Sequence, residues 1–124
     1  MDSFALSEIG MSLQKQQLNL IAQNVAHANT VARPGETYRA LELVVTNSSE
    51  PFSIGQAQVK EIKTQPIKTF NPKHPLASSD GFIERPNINM ADQMMKMMMA
   101  TRAYEANLSV FNASKKMAQL VLER

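Results

Sequence analysis

Five methionines fall within residues 94–99: Met94, Met95, Met97, Met98 and Met99. Thioethers are soft ligands, and a cluster of them can hold copper(I). Consecutive residues of a helix, however, point around its axis, so only some of the five share a face. Adaptable packing accounts for them better, because methionine fills irregular gaps. His27 and His74 are the two histidines, and neither has carboxylates spaced to make a metal or acid/base constellation. Ser48-Ser49 and Ser78-Ser79 lack a companion histidine motif, which leaves nucleophilic catalysis unsupported. Gly81 stands alone, so no phosphate-cradling loop is expected. With no cysteine, thiolate metal sites and disulfides are excluded. The expectation is a protein that is not an enzyme and has no metal or cofactor.

Composition narrows the partners. The net charge is +2 and the basic residues are dispersed, whereas nucleic-acid binding needs a clustered basic face. No segment has the length of a membrane span. The start, MDSFALSEIG, has neither a basic n-region nor an apolar h-region, so a cleaved secretory signal is not expected.

The elements are clearer than any site. All six prolines (Pro34, Pro51, Pro66, Pro72, Pro75, Pro86) lie between residues 31 and 86. Proline breaks helices, so the spacing predicts two long helices around a non-helical middle: residues 1–30, 31–86 and 87–124. The fold class is mainly α, two terminal helices packed as a coiled-coil-like pair with a small β-rich or irregular middle. Over 4–28, Phe4, Met11, Leu18, Ile21, Val25 and Ala28 keep a three-and-four spacing, with Ser7 and Gln14 in the same stripe. Asp2 or Ser3 is the expected cap. In the middle, 40–46, 57–63, 67–70 and 81–84 read as short strands, while 71–75 and 78–81 carry turn chemistry.

The helix over 90–122, with Asn87 or Asn89 as its N-cap, carries two heptad stripes. One is bulky: Met90, Met94, Met97, Thr101, Tyr104, Leu108, Phe111, Lys115, Ala118 and Leu122. The other is lined with small residues: Met99, Ala103, Ala106, Val110, Ala113, Met117 and Leu120. An offset of two residues, about 200° at roughly 100° each, puts them on nearly opposite faces. The N-terminal helix can cover one face and not both. Left open, the other would be a larger apolar patch than soluble monomers usually tolerate. An assembling protein follows, and a dimer, a bundle adaptor or a polymer subunit would each satisfy the spacing; the competing reading is a monomeric helical hairpin with unusually wide apolar stripes.

Three segments carry a family resemblance. NLIAQNVAHANT (19–30) resembles the N-terminal signature of bacterial flagellar rod and hook proteins. PGETYRA (34–40) is similar to the corresponding segment of the C-type proximal rod proteins, and residues 71–117 resemble that group nearly throughout. The core of the match is Pro86-Asn87 and the run Arg102-Ala103-Tyr104-Glu105-Ala106-Asn107. His27 stands where the signature usually has Asn, Phe82 where Tyr is common, and 44–66 aligns little. The resemblance implies a structural subunit of the basal-body proximal rod, a tubular drive shaft that transmits torque. It implies passage through the flagellar type III export apparatus without signal cleavage, and assembly in the periplasm. The expected partners are further copies, other rod proteins and surrounding ring proteins. The terminal helices would form the inner core and the middle would face outward.

The residues expected to make assembly contacts are Leu18, Ile21, Asn24, Val25 and Asn29 on the first helix. On the second they are Met94, Met97, Tyr104, Leu108 and Phe111 of the bulky stripe and Met99, Ala103, Ala106, Val110, Ala113 and Met117 of the small one. Asn107 lies at the polar margin, where Arg102 and Glu105 are expected to set register. A different class of function, a soluble helical binding module or export chaperone for flagellar subunits, would use the same small-residue groove.

Overall fold

The computed structural model describes residues 3–45 and 57–122. Helix α1 spans Ser3–His27, strands β1 to β4 span Leu41–Val45, Ala57–Glu61, Ile67–Phe70 and Phe82–Arg85, and helix α2 spans Met90–Leu122. Two long helices thus flank a strand-containing middle, as the proline distribution requires.

The helix ends follow local chemistry. Asn89, one of the two expected caps, is the one used. Its Oδ1 accepts the amides of Ala91 at 3.0 Å and Asp92 at 3.3 Å, satisfying donors that have no partner within the helix. Asp92 in the first turn also meets Lys96 at 3.3 Å. At the start of α1, Asp2 lies outside the described residues and Ser3 is already helical. Its far end closes by turns, Ala28 N to Val25 O at 3.3 Å and Thr30 N to His27 O at 3.1 Å, well before Pro34.

The helices run antiparallel against one another. Gly10 faces Asn107 and Asn24 bonds Gln93. Each helix advances fourteen residues between these two points (10 to 24, and 107 back to 93), so one register holds throughout. The buried or half-buried stripe of α2 is Gln93, Met97, Ala100, Tyr104, Asn107, Phe111, Ser114 and Ala118. It keeps Met97, Tyr104, Phe111 and Ala118 of the bulky stripe. Between them, however, it takes Gln93, Ala100, Asn107 and Ser114, while Met94, Thr101, Leu108 and Lys115 are exposed. On α1 the same phase buries Ser7, Ile21, Asn24 and Ala28, and Met11, Leu18 and Val25 are half-buried at its margin. Small and amide residues let the two axes approach more closely than Met11, Leu18, Met94 or Leu108 would allow.

The middle forms two separate hairpins. β1 pairs antiparallel with β2, Leu41 opposite Glu61 and Val45 opposite Ala57, and Ile62 N to Ala40 O at 2.7 Å extends the ladder. β3 pairs with β4, Ile67 opposite Arg85 and Phe70 opposite Phe82. The expected strands at 40–46 and 57–63 are therefore slightly shorter, and Thr46 lies outside the described residues. Between β3 and β4, Gly81 has φ +84°, and a Cβ there would come within 2.9 Å of the Phe70 ring. β1 packs on α1. The buried apolar set among the described residues is small: Leu20, Ile21, Ala28, Ala40, Ile83 and Ala100.

Candidate functional site

The surface that stands out is on α2. Packing against α1 covers one stripe, and the rest of the helix carries large apolar side chains into solvent. Met95, Met98 and Met99 are 61%, 58% and 65% exposed, Val110 51% and Met117 68%. Exposure rises toward the end of the helix, to 84% at Leu122. The antiparallel register explains this. Ser3 of α1 lies level with Ser114, so the last two turns of α2 run past the start of the described part of α1. Leu120, Val121 and Leu122 occupy that overhang. Contiguous exposed apolar surface of this kind marks an interaction site.

Alanines give the same face its shape. Ala106 and Ala113 are exposed, Ala103 is half-buried toward α1, and Val110 lies between them. Small side chains let another helix approach closely. Arg102 and Glu105 are both exposed at the edges of this face. Asn29 is exposed beyond the end of α1.

Not every residue expected at an assembly contact reaches the surface. Ile21 and Asn24 are 3% and 2% exposed, covered by their own chain. Asn24 is a hub. Its Oδ1 accepts the Leu41 amide at 2.9 Å and the Tyr38 hydroxyl at 2.9 Å. Its Nδ2 donates to Leu41 O at 2.9 Å and to Gln93 Oε1 at 3.4 Å. Both donors and both lone pairs of one amide are thereby matched, so it can be buried at no unsatisfied cost. The His27 ring stacks on Tyr38 with centroids 4.3 Å apart. Burial raises the Tyr38 hydroxyl above its ordinary pKa of 10.0. The hub ties α1, β1, α2 and the 28–40 segment together, and it stations the outer face of α2 relative to the hairpins.

A second clasp holds the 32–37 loop. Ala32 and Glu84 exchange both backbone bonds, at 2.8 and 3.0 Å. The Glu84 carboxylate, on a residue 6% exposed, accepts from Thr37 Oγ1 at 2.7 Å and from the Gly35 amide at 3.2 Å. Gly35 has φ +93°, a conformation that suits glycine. Lys68 lies 4.0 Å from the same carboxylate.

Reasoning from the sequence missed Gly10, Tyr38, Glu84 and Gln93 as positioning residues. The signal was there for Tyr38, which sits in the PGETYRA segment, and for Gly10, a glycine inside a helical pattern, which costs about 1 kcal/mol relative to alanine and wants a reason. Among the described residues, no group of three His, Cys, Asp or Glu side chains could hold a metal ion, and no helix is long and apolar enough to cross a membrane.

A family described as the flagellar basal body rod FlgEFG protein C-terminal matches residues 79–124, which contain the whole of α2. Over most of its length the chain is similar to the flagellar basal-body rod protein FlgC of several bacteria. It is 33% identical to that of Yersinia enterocolitica over 117 residues, covering 90% of this chain and 87% of the relative. With the protein of Escherichia coli O6:H1 the identity is 32% over 119 residues, covering 92% and 89%. With that of Borreliella burgdorferi it is 32%, covering 97% and 93%. Signature segments at both ends, a helical pair with an uncovered face and similarity over most of both chains agree: the chain belongs to the FlgC family of flagellar basal-body rod proteins.

Proposed function

We propose that this chain is a structural subunit of the flagellar proximal rod whose α1–α2 pair completes its packing only against neighbouring subunits. The observation that carries this is the uncovered face of α2, with Met99, Val110, Met117 and the overhang at Leu120–Leu122 all exposed. Each large apolar side chain buried there on assembly would contribute about 1.5–3 kcal/mol. The neighbours are further copies and other rod proteins. Arg102 and Glu105 at the edges of the face set the angular register of a neighbour more than its affinity, since exposed ion pairs contribute only about 0–1 kcal/mol.

In this reading the inner core is formed by the helices of 1–30 and 87–124, and the 31–86 hairpins face outward. Met94, Met99, Ala106, Leu108, Val110, Ala113 and Met117 make the intersubunit contacts, with Asn29 at the far end. Leu18, Val25, Met97, Ala103, Tyr104, Asn107 and Phe111 shape the pair from within or at its margin. The subunit reaches the periplasm through the flagellar type III export apparatus without signal cleavage, and the outward hairpins meet the surrounding ring proteins. Rigid helix packing, with no catalytic step and no cofactor, is what carries torque.

The test is Ala106→Leu combined with Ala113→Leu. Both positions are exposed, so the purified chain should keep its helical circular dichroism and the variant should still be exported. Added bulk on the small-residue face should stop rod assembly and abolish swimming. Normal swimming by the double variant would reject this face as the interface.

A further inference from the structure

One set of inward positions of the helix pair recurs every seven residues: Ser7, Gln14, Ile21 and Ala28 on α1, Met97, Tyr104, Phe111 and Ala118 on α2. A pattern of that period is nearly blind to its own alignment. Sliding α1 along α2 by seven residues would return every such position to the seam. Something else must choose the register.

The rungs between them keep the same spacing but differ in residue type. At one end Gly10 meets Asn107, whose amide occupies the space that a side chain at residue 10 would need: a Cβ there would lie 2.8 Å from Asn107 Nδ2. At the other end Asn24 Nδ2 donates to Gln93 Oε1 at 3.4 Å, both residues being buried. The shared register sets Gln17 level with Ala100, which is 3% exposed. Each rung therefore joins partners that fit: an amide into the gap of a glycine, a long residue level with a buried alanine, and two amides bonded to each other. A slip of seven residues in one direction sets Gln17 against Asn107 and leaves Asn24 facing Ala100. In the other direction it crowds Gln17 onto Gln93 and leaves a hole between Gly10 and Ala100. Either way buried amides lose a partner or a cavity opens, and both are unfavourable.

We infer that the rungs Gly10–Asn107, Gln17–Ala100 and Asn24–Gln93 are a register key that selects one antiparallel alignment of α1 and α2. The consequence rests on the rod reading. One slip would shift the free end of α2 by seven residues, about 10 Å, and carry the overhang and the outer face away from their neighbours. The key makes the subunit present its contacts at a single height.

The chain has no cysteine, so engineered pairs can report alignment without background. In the purified chain, Gln14→Cys with Ala103→Cys reads the native register, and Gln14→Cys with Val110→Cys or with Lys96→Cys reads the two slips. Oxidation should cross-link the first pair and leave the other two largely open. Gly10→Leu fills the space of the Asn107 amide, yet either slip would accommodate it, opposite Ser114 or Ala100. It should lower native cross-linking roughly tenfold and raise one of the slipped pairs, and adding Asn107→Ala should restore the native pair. If Gly10→Leu abolishes all three cross-links, recovery of the native pair with Asn107→Ala still supports the key. An unchanged native cross-link in Gly10→Leu, or no recovery with Asn107→Ala, would overturn it. This readout needs no rod, so it can fail while the rod reading stands, and swimming of the Ala106→Leu, Ala113→Leu strain judges that reading separately.

Discussion

The carboxamide of Asn24 lies on the backbone of Leu41 as a neighbouring strand would, donating to its carbonyl at 2.9 Å and accepting its amide at 2.9 Å. A helix side chain thus closes the edge of β1. The first strand of the middle segment is fastened to the helix pair at its first residue, and Tyr38 and Gln93 complete the same amide from two further directions.

Replacing that amide should be costly. Asn24→Ala removes four hydrogen bonds at a fully buried position and leaves both Leu41 backbone groups without this partner. A loss of about 3 kcal/mol in chemical denaturation is expected, with faster exchange of the Leu41 amide. A loss no larger than that of a typical surface substitution, within about 0.5 kcal/mol, would show that water replaces Asn24 freely.

Tyr38 gives the hub a pH dependence. Burial raises its hydroxyl above 10.0, so the folded chain holds the neutral phenol more firmly than the unfolded chain does. The corresponding stability is fully present below the unfolded value near 10.0 and is lost as pH rises through the higher folded value. Denaturation midpoints measured from pH 8 upward should therefore fall more steeply for the native chain than for Tyr38→Phe. Equal slopes would place the phenol in water.

Gly81 should not tolerate a side chain. With φ at +84° and the Phe70 ring 2.9 Å from where a Cβ would stand, Gly81→Ala combines backbone strain of about 1–3 kcal/mol with a steric conflict. The T-shaped pair of Phe70 and Phe82, centroids 5.4 Å apart, should come apart. Loss of ring-current shifts at Phe70 in NMR spectra, with α1 and α2 signals unmoved, is the expected result.

The proline distribution, the Asn89 cap and the two-faced heptads were legible from residues 1–124 alone, because each is a local or periodic property of the chain. Local chemistry decides where a helix can start, and it excludes one where prolines cluster. The surplus of apolar surface on α2 was equally legible, since two stripes about 200° apart cannot both face one short partner helix.

The phase of the pairing was not. Adjacent heptad stripes, Met94–Leu108 and Gln93–Asn107, differ by one residue, about 100° around the axis, and share every alternate member. Hydrophobicity favours the first stripe. The tertiary structure takes the second, because Gly10, Ala100 and the matched amides of Asn24 and Gln93 permit a closer approach and satisfy one another. A buried amide looks like a surface residue until its partner is known, and here the partners are 14, 17 and 69 residues away. Sequence determined that there are two helices and an uncovered face; only long-range packing decided which residues lie between the helices and at what height the free end of α2 stands.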